Sequence, residues 1–331
     1  MADLVYVMMT VDTEEEWDWN GPFPVAGAGI TNVGHLDRFQ SLCERHGMAA
    51  TYFTNHAVMA DPRGSAVIRS LAGRPSAEIG MHIHPWNTPP LEPSGVITPR
   101  DTFLHNDTPA MVEAKLETTY AAFLAAGLKP TSFRGGRYSS GGEIHAFLRR
   151  RGFVADCSVV PYTTWPDDGA PDFRDRGPMP VRLSPGRDGE QALWEIPLSL
   201  GYSRPPFALW ASVFRTIEQT ALRRLRLIGL AARLGLVRRV WLNFEVADRS
   251  DWTPFMRLLQ RMGVPCITLT VHSSSLVAGL GPYTRHADDE RRLYERIDTV
   301  FGSLRRLPGF IPATVSDVAR ILESKHAGPG H

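Results

Sequence analysis

The stretch Leu4-Val5-Tyr6-Val7-Met8-Met9-Thr10-Val11-Asp12-Thr13-Glu14-Glu15-Glu16 passes without a break from apolar residues into carboxylates. A short apolar run without alternation suits a strand buried on both faces, as in a parallel sheet. The carboxylates then stand at the C-terminal end of that strand, where parallel α/β folds gather functional groups. Asp12 and Glu14 share a parity, so in extended chain they project to the same side. Four carboxylates within five residues repel one another unless a cation or an arginine neutralises some of them. Taken alone, the acidic run reads first as a solvated loop after a strand.

The pattern repeats along the chain. Further strands are expected over 49–53, 78–84, 132–133, 155–160, 193–198, 240–244 and 266–271. Helical spacing of apolar residues predicts helices over 36–46, 65–71, 110–126, 143–151, 211–234, 252–262, 287–307 and 315–323. Strands separated by helices long enough to cross over indicate a parallel α/β architecture. A (β/α) barrel is the expected form, with a doubly wound sheet as its competitor. Residues 85–109 and 161–190 are rich in Pro, Gly and Asp and read as long inserted loops bordering a site. Without an internal repeat or a linker, residues 1–331 are expected to form a single domain. Its core runs from about 4 to 276, and C-terminal helices over 287–323 pack on it.

Composition narrows the function classes. A hydrophobic fraction of 43% with 15 Phe, 8 Trp and 8 Tyr excludes a disordered chain. The 36 Lys+Arg and 35 Asp+Glu leave a net charge of +1, so no overall basic field points to nucleic acid. Cys43, Cys157 and Cys266 lack a Cys-x-x-Cys spacing, which argues against a disulfide framework and a zinc-thiolate cluster. The opening residues lack a basic flank and a small-residue cleavage site, so a cytoplasmic location is expected. Residues 222–240 are the greasiest region, yet six arginines interrupt them and no membrane span is predicted. That segment reads chiefly as a solvated helix face beside a packed stripe of Leu222, Leu225, Ile228, Leu230 and Leu234. Contact with anionic lipid, as a peripheral membrane element, or with a pyrophosphate-linked substrate is the alternative. The oligomeric state is left open.

Three more strand ends carry polar groups. In Gly80-Met81-His82-Ile83-His84-Pro85-Trp86 the two histidines share a parity and can present two neutral nitrogens to a divalent metal. Two imidazoles and a carboxylate leave coordination positions open for water, as in a hydrolytic site. Phe133-Arg134-Gly135-Gly136-Arg137-Tyr138 combines glycines that admit close backbone approach with arginines that pair with carboxylates or anions. Leu269-Thr270-Val271-His272 delivers one histidine to a strand end, a candidate general acid. Glu245 and Asp248 stand at another strand end, facing either the site or the nearby arginines. Trp86 and Trp165, in the two loops, are placed to wall a pocket, or simply to anchor the loops. The G-x-S-x-G elbow, the P-loop and the dinucleotide-binding glycine pattern are all missing.

In this order the blocks resemble the polysaccharide deacetylases, carbohydrate esterase family four with the NodB-homology domain. The matching pieces are Thr10-Val11-Asp12-Thr13-Glu14, Ile79-Gly80-Met81-His82-Ile83-His84-Pro85, Phe133-Arg134-Gly135-Gly136-Arg137-Tyr138, Ala155-Asp156-Cys157-Ser158-Val159 and Leu269-Thr270-Val271-His272. The resemblance implies a distorted parallel (β/α) barrel and a divalent metal, Zn2+ first, with Co2+, Mn2+ or Ni2+ as alternatives. The implied reaction removes an N-acetyl or O-acetyl group from a sugar or sugar-linked intermediate. By the same resemblance Asp12 is the base, His272 the acid, Arg134 orients Asp12 and Asp156 tunes His272. His82 and His84 bind the metal, and the backbone near Arg137 and Tyr138 helps hold the oxyanion. Two departures stand out. Thr13 follows Asp12 where a second acid is usual, so Glu14 is the expected carboxylate ligand, with Glu15 in reserve. Only Ile83 separates the histidines, where the family has three residues, which leaves His56 and His105 as spare ligands. A hydrolase of non-sugar amides and a catalytically silent scaffold or binding protein are the competing readings.

Overall fold

Strand β1 (Val5–Thr13) has neighbouring strands on both sides and is buried along almost its whole length. The computed structural model describes residues 4–19, 21–91, 97–165, 168–183 and 191–327. Parts of the two expected loops, 92–96, 166–167 and 184–190, lie outside the described residues. Following β1 are β2 (Ala50–Thr54), β3 (Ala77–Ile83), β4 (Ser132–Gly135), β5 (Ala155–Asp156), β6 (Val181–Leu183), β7 (Leu193–Glu195), β8 (Leu200–Tyr202), β9 (Arg239–Trp241), β10 (Cys266–His272) and β11 (Phe310–Pro312). The main sheet runs β10-β1-β2-β3-β4-β5-β7-β6, with β11 added beside the start of β1. Every pairing in it is parallel except β6 with β7.

Helices α1 (Leu36–Arg45), α2 (His56–Ala60), α3 (Pro62–Ala72), α4 (Pro109–Ala125) and α5 (Gly142–Arg150) lie between the first five strands. Then come α6 (Phe207–Gln219), α7 (Leu227–Arg233), α8 (Trp252–Arg261), α9 (Ala287–Leu304) and α10 (Val315–His326). Their stripes explain their docking. α1 buries Leu36, Phe39, Leu42 and Cys43, and α8 buries Trp252, Phe255, Met256 and Leu259, both at helical spacing. Thr108 caps α4 by accepting from the Met111 N–H at 3.3 Å, with Pro109 in the first turn.

The sheet curls into a distorted (β/α) barrel. The gap between its ends is bridged around Ser199, whose carbonyl accepts from Leu242 N at 2.9 Å. The Ser199 hydroxyl accepts from Thr268 N on β10 at 2.9 Å. Asn243 adds a parallel bridge to Thr270. The single-domain architecture is thus a mostly parallel sheet, with its helices flanking it and the long loops at one end.

Three details differ from the sequence expectation. Strands β6 and β11 are three residues each, too short to leave a period in the sequence. The strand expected over 155–160 contracts to Ala155–Asp156. The single helix expected over 211–234 is broken: Thr220 is extended and Arg226 adopts φ 50°. The Thr220 hydroxyl donates to the Thr216 carbonyl at 2.7 Å and accepts from Leu222 N at 3.4 Å, drawing the backbone out of the helix. Moreover α7 buries none of its residues, and Leu222, Leu230 and Leu234 are exposed. Packing of that leucine stripe is therefore corrected, although Ile228 rests against the core. Among the described residues no helix is long and apolar enough to cross a membrane. Cys43, Cys157 and Cys266 are free and buried.

Candidate active site

Strand register assembles the site from segments far apart in sequence. Asp12 pairs with His272 across β1 and β10, and His82 pairs with Arg134 across β3 and β4. All four stand at the C-terminal ends of parallel strands. Asp12, His82 and His272, together with Glu14 and His84 just past β1 and β3, line one cavity of about 310 Å³, and Arg134 lies buried beside Asp12.

Arg134 is fully buried and donates from Nη1 to Asp12 Oδ1. Its other nitrogens reach Thr10 Oγ1 at 3.0 Å and the Cys157 carbonyl at 3.2 Å, and its guanidinium lies over the Phe53 ring at 4.4 Å. A buried charge is tolerated only when paired and hydrogen-bonded in this way. The effect is to hold Asp12 with one oxygen engaged and Oδ2 turned 3.7 Å from His272 Nε2.

His272 is held from its other nitrogen. Glu245 lies beyond β9 and accepts from His272 Nδ1 at 2.8 Å and from its backbone N–H at 3.1 Å. Burial alone would make the imidazole less basic, but the Glu245 charge and hydrogen bond outweigh it and push His272 up to about 10. Trp19 meets the ring edge-on, with centroids 4.6 Å apart.

The structure also brings Glu14, His82 and His84 together. Their donor atoms lie within 4.8 Å of one another. His82 Nε2 and His84 Nε2 are 3.1 Å apart, and Glu14 Oε2 is 3.0 Å from the latter and 3.6 Å from the former. Each ring is fixed through its other nitrogen: His82 Nδ1 lies 2.7 Å from the Arg134 carbonyl and His84 Nδ1 2.8 Å from Glu15 Oε1. Those acceptors assign the proton to Nδ1 and direct both Nε2 lone pairs at the Glu14 carboxylate. Two lone pairs and a carboxylate facing one point are the donor set a divalent cation takes. A tetrahedral zinc with bonds of about 2.0–2.1 Å needs nitrogen donors roughly 3.3 Å apart, which this set matches. The chemistry of the donor set therefore fits a divalent metal. Burial raises the Glu14 carboxyl, but His84 and His82 prevail and hold it far below the usual carboxylate range. Glu15 faces the back of His84, supporting the ring that Glu14 meets in front. His56 begins α2, and His105 bonds the Gly169 carbonyl at 3.0 Å, so neither lines the cavity.

The remaining expected residues divide. Trp86 lines the cavity and stacks on His84 at 4.1 Å. Tyr138 and Arg137 line it too, in consecutive left-handed conformations with φ 64° and 47°. The Arg137 guanidinium is tied to Thr102 and, at 2.8 Å, to Asp168, so it braces the two long loops. Trp165 does not line this cavity. It stacks behind Tyr138 at 6.3 Å and faces a neighbouring cavity with Arg174, Arg215 and Arg239. Asp156 does not contact His272, and the expectation that it tunes that ring is corrected. Its carboxylate accepts from Ser158 N at 3.0 Å and lies 2.9 Å from His145 Nε2 and 3.1 Å from the Ser140 hydroxyl. Its place beside His272 is taken by Glu245. Trp17, Trp19, Phe23, Trp241, Asn243 and Tyr283 complete the cavity wall without having been anticipated. Only the aromatic pair immediately after the acidic run carried a local signal.

Gly136 shows how closely the backbones pass. A Cβ there would stand 2.3 Å from the Ile83 carbonyl and 2.6 Å from the His84 ring. Gly136→Ala is expected to destabilise the fold by about 1–3 kcal/mol through overpacking, read as a lowered urea midpoint, and to displace His84.

The folded frame is that of the polysaccharide deacetylases. A candidate polysaccharide deacetylase from Mycobacterium smegmatis matches with a TM-score of 0.55 at 14% identity, over 100% of this chain and 94% of that one. A second from Pseudomonas aeruginosa PAO1 gives 0.54 at 13% identity, over 98% and 93%. Puue allantoinase gives 0.56 at 13% identity, over 98% and 92%. No protein-family model matches the chain, and no curated protein matches it. At these identities the likeness is one of fold.

Proposed function

We propose that the chain is a metal-dependent hydrolase that removes an acyl group, N-acetyl or O-acetyl, from a sugar or sugar-linked molecule. The observation that carries this reading is the convergence on one cavity of three groups. These are a carboxylate held by arginine (Asp12), an imidazole held by carboxylate (His272) and the Glu14–His82–His84 donor set. The sugar is supported by the fold shared with polysaccharide deacetylases and by the aromatic wall of Trp17, Trp19, Trp86 and Tyr138, suited to stacking on a ring face.

Glu14, His82 and His84 would hold the metal, which when bound polarises a carbonyl and acidifies water. Asp12 accepts the proton of the attacking water at the oxygen not engaged by Arg134. Arg134 fixes Asp12 in direction. His272 carries its proton on Nε2, facing Asp12 Oδ2 and the cavity, and delivers it to the departing nitrogen or oxygen. Glu245 holds Nδ1–H throughout, so only Nε2 exchanges its proton. Trp19 packs edge-on against His272, and Trp86 stacks on His84. Purified chain loaded with Zn2+ is expected to release acetate from N-acetylated sugars. Metal-loaded chain inert toward N- and O-acetylated sugars and toward small amides alike would overturn the reading.

A second reading keeps the machinery and changes the substrate to a non-sugar amide, favoured by the equal likeness in fold to an allantoinase. The two separate on substrate: release of acetate supports the first, ring opening of a cyclic ureide the second.

The Glu245–His272 pair sets a pH prediction. Because His272 is raised from its usual 6.5 to about 10, it remains a proton donor through neutral pH. Glu245→Gln removes the charge that raises it, so the alkaline limb of kcat/KM is expected to move to lower pH. An unmoved limb would assign that limb to another group. By linkage, the pair's stabilisation is full between about pH 4.5 and 6.5, is lost as pH rises through about 10, and is lost again in acid as Glu245, held below its usual 4.5 by His272, takes a proton.

A further inference from the structure

The segment between α6 and β9 is unlike the rest of the molecule. From residue 220 to 239 it holds six arginines, six leucines and no acidic residue, although the whole chain carries only +1. Four of its leucines stand exposed: Leu222 at 40%, Leu230 at 52%, Leu234 at 63% and Leu236 at 52%. Leu209, on the first turn of α6, is exposed as well. The Arg204 guanidinium donates to the Gly235 carbonyl at 3.1 Å and so ties the end of α7 beside the approach to α6. Arg224, Arg226 and Arg233 are exposed and have no acidic partner among the described residues. Arg238, by contrast, pairs with Asp251, and Arg239 lies 3.5 Å from Glu218.

We infer that this segment docks the protein on an anionic lipid surface. Four exposed leucines are apolar area that water penalises and that the chain itself does not cover. Interspersed arginines without carboxylates would attract negative headgroups, and their apolar stems can lie along the acyl boundary while the guanidinium stays at the headgroup level. Leucine together with unpaired arginine on a short helix is the composition of an interfacial element lying in the membrane plane. A soluble polyanion would use the arginines and leave the leucines exposed. A second copy of this chain would use the leucines and bring like charges together. The lipid surface uses both. In the chain, β9 follows at once, and Trp241 at its end lines the candidate catalytic cavity.

The test reads binding and is independent of activity, so it fails or succeeds separately from the hydrolase reading. The full chain is sedimented with vesicles of phosphatidylcholine alone and of phosphatidylcholine with phosphatidylglycerol, at low and high salt. Binding to the phosphatidylglycerol vesicles, weakened by salt, is expected. Arg224→Gln/Arg226→Gln/Arg233→Gln should reduce it about 100-fold, from roughly fivefold per arginine. Leu230→Ser/Leu234→Ser/Leu236→Ser should reduce it at least about tenfold. Circular dichroism melts check that both variants fold, and the exposure of every substituted side chain favours this. Failure to sediment with either vesicle overturns the inference, as does binding that both folded variants retain. Binding that follows the arginines but not the leucines, and is matched by heparin, assigns a soluble polyanion instead. A dimer in solution that the leucine variant dissolves assigns a second copy of the chain.

Discussion

Elemental analysis of the purified chain is expected to return about one equivalent of divalent metal, and the His82→Ala/His84→Ala variant none. The reason is geometric. Both Nε2 atoms face Glu14 Oε2, and both Nδ1 atoms are occupied by fixed acceptors, the Arg134 carbonyl and Glu15. Removing both rings leaves one carboxylate, too few donors for a zinc-type site. Turnover should fall to background with the metal. The measurement has a clear opposite. A parent chain that stays empty after incubation with zinc, cobalt or manganese would sink the hydrolytic reading and favour a scaffold or binding protein.

Asp12→Asn is the second large effect. It keeps the shape and the contact with Arg134 but removes the proton acceptor, and kcat is expected to drop by about 10²–10⁴-fold. Metal content should remain that of the parent, because Asp12 stands on the His272 side of the cavity while the donor set is completed by Glu14. Unchanged turnover would remove Asp12 as base. Loss of the metal together with activity would make Asp12 a ligand, with the base to be sought elsewhere. The substitution also leaves Arg134 buried beside a neutral partner, so a stability loss of about 1–3 kcal/mol is expected alongside. Kinetics are therefore to be compared at a temperature where both proteins remain folded.

Much of the frame was legible in the amino-acid order. The apolar run before Asp12 is a central strand, and 78–84 and 266–271 are within a residue of β3 and β10. Local period and burial suffice for this, since a strand buried on both faces must be apolar wherever it sits. Parity likewise placed Asp12 with Glu14 and His82 with His84, because alternation in extended chain is a property of the backbone. Glu245 was visible only as an acid at a strand end, equally suited to a salt bridge. Its pairing with His272 depends on residues 242–244 running beside β10, a contact between segments that no local period encodes.

The same division accounts for the misses. Asp156 occupied the expected motif position, but helix α5 brings His145 onto its carboxylate and the role beside His272 passes to another strand end. Trp165 sits in a loop whose path is decided by Arg137 and Tyr138, so it faces a neighbouring cavity. The leucines of 222–236 have helical spacing, and spacing alone cannot tell a stripe that meets the core from one left in water. Sequence by itself determined which segments are strands and which chemical groups stand at their ends. Tertiary structure decided which of those groups meet, since register and loop path follow from the packing of residues hundreds of positions apart.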